Sequence, residues 1–398
     1  MKVVQINATC GVGSTGRICV GISEQLNAQQ IENYILYSSK TSGYPGGLQC
    51  STDADIKLQS LKSHVFGNYG FNSQKATKKM IQYLEEIKPD IVHLHNIHGH
   101  DCDLGLLFSY FKEKKQELVW TFHDCWTFTA YCAYFSMCNC EKWKSGCFNC
   151  SQKNQFSFLF DKSRELFDKK KKLFTGLDLT IVTPSKWLCD VVKESFFKDY
   201  PVRVIYNGID LDIFKPTESD FKKRYNVPMD KKIVLGVSLE WGQRKGLDVF
   251  LELSKRLDDK KYQIVLVGTN PETDKLLPDN VISIHRTESQ KELAEIYTAA
   301  DVFVNPTRDE VLGLVNIEAI ACGTPVITFN SGGSPECIDK TCGVVIDCDD
   351  VDAAVEQIGF ICTQKPFDKE SCIKYAENFD KQQNFRKYLD VYREICFD

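Results

Sequence analysis

Residues 301–335 read DVFVNPTRDEVLGLVNIEAIACGTPVITFNSGGSP, and the fold follows from how that stretch divides. Asp301 to Asn305 is a short apolar run closed by Pro306, the pattern of a strand buried on both faces of a parallel sheet. Thr307 to Gly313 is a loop carrying Glu310. Leu314, Ile317, Glu318 and Cys322 recur at helical spacing, and Gly323 followed by Pro325 ends that helix. Pro325 to Phe329 is the next strand, and Ser331-Gly332-Gly333-Ser334 is a flexible loop leading to Pro335 and Glu336.

Glu310 stands just ahead of this helix and Glu318 about one turn inside it, so both can face a ligand at the helix N-terminus. The backbone N–H groups of Gly313, Leu314 and Val315 point to the same place, and a helix start suits a phosphate. Carboxylates beside a phosphate repel it and suit hydroxyls instead. Sugar and ribose hydroxyls beside a diphosphate describe a nucleotide-sugar site. The plainer reading makes Glu318 a helix-capping group and Glu310 a solvated loop residue.

The string Glu310-x7-Glu318, with Gly313-Leu314 inside it and Glu318-Ala-x-Ala-x-Gly-x-Pro325 across its end, resembles the signature of retaining glycosyltransferase family 4. The resemblance implies the GT-B fold: two Rossmann-like, doubly wound parallel-sheet α/β domains with a cleft between them. It also implies that Glu310 contacts the transferred sugar and Glu318 the donor ribose.

The rest of the second half fits the same scheme. Lys232 to Ser238 reads as a strand, followed by the loop Glu240-Trp-Gly-Gln-Arg244-Lys245-Gly246 and a helix from Leu247 to Leu257. The family carries an arginine and a lysine in this loop that grip the donor diphosphate. Lys245 matches, whereas Arg244 is adjacent to the lysine instead of several residues upstream. Fixed cations there would neutralise charge growing on the leaving group. By the same resemblance Gly268, at the end of the next strand, lines the cleft, and Asn207-Gly208-Ile209-Asp210 marks the hinge.

In the first half, Gly11, Gly13 and Gly16 follow a strand and open a helix read from Arg17 to Gln29, the context of a dinucleotide fingerprint. That fingerprint also needs an acid at the end of the second strand. Tyr37-Ser38-Ser39 supplies none, which weakens a dehydrogenase reading. The family resemblance, in which a Gly-rich loop after the first strand faces the cleft, implies Gly13 and Gly16 as donor-side candidates; the plainer reading is a tight βα turn. Leu118 to Phe122 reads as a strand ending in His123-Asp124. The resemblance places His123 beside the donor sugar, donating to a hydroxyl, with Asp124 orienting the ring. Residues 125–150 hold six cysteines. Cys147-x2-Cys150 is a zinc-knuckle spacing, and Cys132 with Cys138 or Cys140 completes a ligand set. Cys132, Cys138, Cys147 and Cys150 are thus candidate ligands of a structural zinc. The other reading is a cluster of buried thiols among aromatics. Asp161 to Phe174 reads as an amphipathic helix with Lys162, Arg164 and Lys169 to Lys172, suited to anionic lipid headgroups or simply to solvent.

The chain has 398 residues, 43% hydrophobic and 26% charged, with a formal charge of −5 and eighteen cysteines. Length suits two or three domains, and the charge gives no footprint for nucleic acid. No run approaches a membrane span, and the first residues read as a strand, not a secretory signal. The expected division is 1–200, with the Cys-rich insertion 125–150, then 201–378, then a C-terminal helix 379–398 returning to the first domain. The expected activity is retaining transfer of a sugar from a nucleoside diphosphate to an acceptor hydroxyl, Glu310, His123 and Lys245 being the catalytic candidates. A saccharide, lipid-linked or free, is the expected acceptor, in cell-surface polysaccharide synthesis at the cytoplasmic face of a membrane. Asp53-Ala-Asp55 and Asp210-Leu-Asp212 lie outside the context of a metal-binding D-x-D motif, so no cofactor is expected for catalysis. The alternatives are a nucleotide-sugar epimerase or NAD-dependent enzyme on similar sheets, and a non-catalytic sugar-nucleotide-binding scaffold.

Overall fold

The computed structural model describes residues 1–397. The chain forms two compact units: residues 1–206 together with the segment from Gln382 onward, and Asn207–Lys381.

The first unit is built on β1 (Lys2–Asn7), β2 (Glu32–Tyr37), β3 (Gly47–Gln49), β4 (Ile91–Leu94), β5 (Glu117–Thr121), β6 (Leu179–Thr183) and β7 (Val202–Val204). They pair in parallel in the order β3-β2-β1-β4-β5-β6-β7. Its helices are α1 (Gly13–Ala28), α2 (Asp53–Phe66), α3 (Gln74–Ile87), α4 (Leu104–Lys114), α5 (Ser163–Phe174) and α6 (Lys186–Lys193). The inner strands β1, β4, β5 and β6 are rich in Val, Ile and Leu and largely buried on both faces, as a parallel sheet covered by helices requires.

The second unit opens with α7 (Phe221–Arg224) and β8 (Lys232–Val237), then α8 (Leu247–Arg256), β9 (Tyr262–Val267), α9 (Pro271–Asp274), β10 (Val281–Ile284) and α10 (Gln290–Ala299). It continues with β11 (Val302–Asn305), α11 (Leu314–Ala321), β12 (Val326–Phe329), β13 (Gly343–Ile346), α12 (Val351–Gln364) and α13 (Lys369–Ala376). Its order, β10-β9-β8-β11-β12-β13, is again all parallel. Both sheets are doubly wound Rossmann-like sheets, the fold class of GT-B proteins.

The last helix, α14 (Lys381–Phe397), returns the chain to the first unit. Its Phe385, Tyr388, Leu389 and Tyr392 share a core with Val3, Ile18, Ile22 and Ile91. Each such buried side chain contributes about 1.5–3 kcal/mol. Tyr392 Oη lies 2.6 Å from His93 Nδ1, and Thr121 Oγ1 donates to Tyr388 Oη at 3.2 Å. Buried hydroxyls on α14 therefore meet buried polar groups of β4 and β5 instead of facing hydrocarbon.

Several local readings change. The two chain crossings fall at Tyr206/Asn207 and Lys381/Gln382, against the expected 200/201 and 378/379. β7 lies beyond the expected boundary yet extends the first sheet, because it pairs with β6. Ile209 N–H donates to Phe379 O, and Lys381 N–H to Ile209 O, at 2.9 and 3.0 Å. The segments entering and leaving the second unit therefore run side by side. α1 starts at Gly13, earlier than the expected Arg17. The basic face of α5 is also smaller than its sequence suggests. Lys170 is buried, donates to Thr129 O at 2.8 Å and to Trp126 O, and sits 3.4 Å above the Trp126 ring. Among the described residues no helix is long and apolar enough to cross a membrane.

Candidate functional site

In the second unit the order of sheet building reverses between β8 and β11. Ligand crevices of open parallel sheets lie at such a reversal, beyond the carboxyl ends of the strands. The loop after β8 closes through a 3-10 turn, Gln243–Lys245. The loop after β11 runs from Pro306 to Gly313 and enters α11. The two are laced together. Arg308 N–H donates to Arg244 O at 2.9 Å, and Arg244 Nη1 to Asp309 O at 3.2 Å. Arg308 forks onto both carboxylate oxygens of Asp248 at 2.8 and 2.7 Å and reaches Asp349 through Nε at 2.7 Å. Held this way, Lys245 Nζ donates to Glu310 Oε2 in an ion pair whose side chains are only 20% and 15% exposed.

Glu310 is braced from behind. Its carbonyl accepts from Gly333 N–H at 2.9 Å. Gly332 has φ +57°, and a Cβ on it would stand 1.8 Å from that same carbonyl oxygen. Beneath this loop, Asn305 Nδ2 donates to Asn316 Oδ1 at 2.8 Å, Asn316 Nδ2 to Ser334 Oγ at 2.9 Å, and the Thr328 and Ser334 hydroxyls are 2.7 Å apart. A buried polar network satisfied to this degree specifies one loop arrangement.

Glu318 is half-buried on α11, and its Oε2 accepts from Tyr297 Oη at 3.0 Å. Burial first, and the Glu318 carboxylate second, push the Tyr297 hydroxyl well above its usual range, so it stays a donor. The expectation of three open N–H groups is corrected. Gly313 N–H is directed at the Cys337 thiol. Gly313 has φ −75° and ψ 77°, an inverse γ-turn, so Leu314 N–H donates to Leu312 O at 2.9 Å. With Gly313 N–H on a thiol and Leu314 N–H on a carbonyl, Val315 N–H is left as the candidate open donor of the three. Gly268, with φ +86°, closes β9 where a Cβ would stand 1.6 Å from Ser238 O, so it packs on the loop after β8. Asn207 is buried, and its Oδ1 has no partner among the described residues.

In the first unit the reversal falls between β1 and β4. Gly13 opens α1, and Gly16 packs in its first turn where a Cβ would meet Thr9 Oγ1 at 2.6 Å. His123 follows β5 and is partly exposed. Asp124 is not its orienting partner. Asp124 Oδ2 pairs with His98 Nε2 at 3.1 Å, and Oδ1 accepts from Trp126 N–H at 2.8 Å. His123 Nε2 instead lies 3.0 Å from His95 Nδ1, and His95 Nε2 lies 3.0 Å from Gln5 Oε1. Burial holds His93 and His95 well below the usual imidazole range and His123 at about 4. Burial also opposes charging His98, but the Asp124 carboxylate outweighs it and raises that group.

Sequence reasoning missed Tyr297, Arg308 and Gln5, and it read His95 only as one of several polar histidines at a strand end. The alternation of side chains along a strand, which puts His93 and His95 on one face, was the available signal for Gln5 and His95.

Cys132, Cys138, Cys140, Cys147 and Cys150 line one small cavity with Tyr131. Cys138 Sγ is directed at Phe135 O and accepts from Gln152 Nε2, both at 3.2 Å. Burial pushes Cys132 up to about 12 and Cys147 to about 11, so both are neutral thiols. Among the described residues no three His, Cys, Asp or Glu side chains stand in an arrangement that would hold a metal ion.

A model described as Glycosyltransferase Family 4 matches residues 15–213, half of the chain, and one described as Glycosyl transferases group 1 matches residues 218–379. Over 99% of its length the chain is 22% identical to the full length of a protein from Escherichia coli (strain K12) described as a putative colanic acid biosynthesis glycosyl transferase, WcaC. Among solved structures, sucrose-phosphate synthase from Thermosynechococcus elongatus superposes with a TM-score of 0.72 at 17% identity, covering 99% of this chain and 98% of that one. WaaG, described as a glycosyltransferase involved in lipopolysaccharide biosynthesis, gives 0.65 at 18% identity with both chains fully covered. At these identities the structural likenesses establish the fold.

Proposed function

The chain belongs to the glycosyltransferases described by those two models, and we propose that it is a retaining enzyme moving a sugar from a nucleoside diphosphate to an acceptor hydroxyl. The observation that carries this reading is the Lys245–Glu310 ion pair at the sheet reversal, the glutamate standing just ahead of the helix that bears Glu318. A cation, a helix start and two carboxylates on one rigid framework suit a diphosphate flanked by hydroxyl-rich groups. In this reading Lys245 and Val315 N–H hold the diphosphate and Glu318 the ribose. Glu310 touches the sugar, and His123 of the first unit is proposed separately as a sugar-contacting residue. Arg244, already bonded to Asp309 O, supports the loop.

The bond from the sugar's anomeric carbon to the diphosphate oxygen breaks, and a bond to the acceptor oxygen forms on the same face. The acceptor proton passes to the departing phosphate oxygen. Positioning and fixed charge supply the rate, and no enzymatic nucleophile is invoked.

The test incubates the protein with UDP-, GDP- and ADP-sugars, with and without saccharide acceptors. Transfer with the donor's anomeric configuration kept in the product supports the proposal, and inversion overturns the retaining step. Conversion of donor without acceptor indicates an epimerase, dependence on nicotinamide a dehydrogenase, and binding without turnover a scaffold.

Surface polysaccharide synthesis on a lipid-linked acceptor is the proposed setting. The colanic acid relative and an exposed apolar tip in the first unit support it. Phe158, Leu159 and Phe160 are 64%, 63% and 54% exposed. Phe158 N–H bonds His64 O at the end of α2, which itself exposes Leu61 and Phe66, with Lys162 and Arg164 close by in sequence. Exposed apolar side chains with cations nearby in sequence suit an anionic bilayer surface. Failure to float with anionic vesicles would remove the membrane from the proposal. A structural zinc on Cys132, Cys147 and Cys150 with Cys138 or Cys140 is proposed as well, since all five thiols line this cavity. The thiols would have to turn into the shared cavity to ligate it.

A further inference from the structure

His123 shares a hydrogen-bonded chain with Gln5 and His95, and donor accounting fixes every proton in it. Gln5 Nε2 lies 2.9 Å from Cys19 O and 2.8 Å from Ser23 Oγ. A backbone carbonyl only accepts, so the amide is oriented with its nitrogen toward α1 and its oxygen toward His95. Gln5 Oε1 likewise only accepts, so the imidazole nitrogen 3.0 Å away, His95 Nε2, carries a hydrogen. A buried, neutral His95 then presents a lone pair at Nδ1. That lone pair faces His123 Nε2 at 3.0 Å, which must donate. Neutral His123 therefore carries its hydrogen on Nε2 and a lone pair on Nδ1.

We infer that His95, set by Gln5, is a positioning residue that locks His123 in the Nε2–H tautomer, so that His123 meets the substrate through Nδ1 as a hydrogen-bond acceptor. This reverses the sequence-based expectation that His123 donates to a sugar hydroxyl. It rests on the proposed role of His123 at the sugar. The hydroxyl it contacts is one that donates, so a sugar with that position deoxygenated or O-methylated is excluded from good use. Two nearby histidines have different partners: His98 pairs with Asp124, and His93 with Thr121 and Tyr392.

The test is side-chain NMR of the full chain labelled with 15N-histidine, together with steady-state kinetics. In the native protein at pH 7, His123 should show a protonated ε2 and an unprotonated δ1 nitrogen. His95→Leu removes the acceptor and should give His123 mixed tautomers, with kcat down roughly 10-fold or more and donor KM little changed. His95→Asn places an amide oxygen near the position of Nδ1 and should restore both the tautomer and most of kcat. A native His123 protonated at δ1 overturns the inference. So does a His95→Leu protein whose His123 keeps the ε2 hydrogen. If His95→Leu does not fold, the native spectrum and His95→Asn still decide. The tautomer is read without turnover, so its failure is distinct from a failure of the glycosyl-transfer reading.

Discussion

Lys245 and Glu310, 65 residues apart in sequence, meet as a hydrogen-bonded ion pair at the reversal point of the second sheet. Neither is positioned by its immediate neighbours alone. Arg308 ties the lysine loop to the glutamate loop, and the Gly332-Gly333 turn presses on the glutamate's backbone. The pair is largely shielded from water; in the proposed function a diphosphate taking over Lys245 would leave Glu310 free to accept from a sugar hydroxyl.

Tyr297→Phe should weaken donor binding without unfolding the protein. The hydroxyl it removes donates to Glu318 Oε2 at 3.0 Å. A hydrogen bond to a charged group contributes about 1.5–3 kcal/mol, so donor KM should rise about 10-fold or more while kcat changes little. Unchanged KM would mean that Glu318 does not bind the donor in this orientation.

Gly332→Ala should damage the site through the backbone. The added methyl would stand 1.8 Å from Glu310 O, so the loop must move, at a strained φ of +57°. Transfer should fall by about 10-fold or more, since misplacement near 1 Å can cost about 10²-fold. Wild-type kinetics in a folded variant would show that the loop does not set Glu310.

Stability should fall as pH drops below about 6.5. His93, His95 and His123 are depressed by burial, His123 to about 4. The unfolded chain binds protons near pH 6.5 that the folded chain refuses, so stability rises with pH up to that point, by about 1.4 kcal/mol per pH unit per proton. His98, raised because Asp124 outweighs burial, acts oppositely: its contribution is complete below about 6.5 and fades as pH rises through its folded value. Urea midpoints should therefore drop steeply from about pH 6.5 toward about 5, and His95→Asn should flatten the slope. A flat profile over that range would contradict the buried-neutral assignment.

Protein purified without chelator should contain about one zinc per chain if the Cys-lined cavity closes on a metal. Cys147→Ser should lose it, since Cys147 belongs to each ligand set that this cavity offers. Zinc near zero by elemental analysis would leave the cluster as buried thiols.

The alternation of β and α elements, and the motif around Glu310, were legible because they are local: apolar runs, helical spacing, and glycine and proline stops. β7 was placed in the wrong domain because a three-residue strand is assigned by its pairing with β6, not by its own composition. Lys170 reads as one more cation on a basic helix, and only packing shows it beneath Trp126 and two carbonyls. His123 was found by its strand end, but its partner was misassigned to the adjacent Asp124. Strand geometry sends successive side chains to opposite faces, and the residue across from it, His95, lies 28 positions away.

Whether the Lys245 loop holds a nucleoside diphosphate is read most directly by calorimetric titration of UDP, GDP and ADP into the wild-type protein, Lys245→Ala and Glu310→Gln, with folding checked by circular dichroism. One nucleoside diphosphate should bind the wild type, and Lys245→Ala should weaken it by about 10-fold or more. Glu310→Gln, which removes only the competing carboxylate charge, should bind that nucleotide at least as tightly while losing sugar transfer. Wild-type affinity in folded Lys245→Ala, or binding of none of the three, would contradict the assignment.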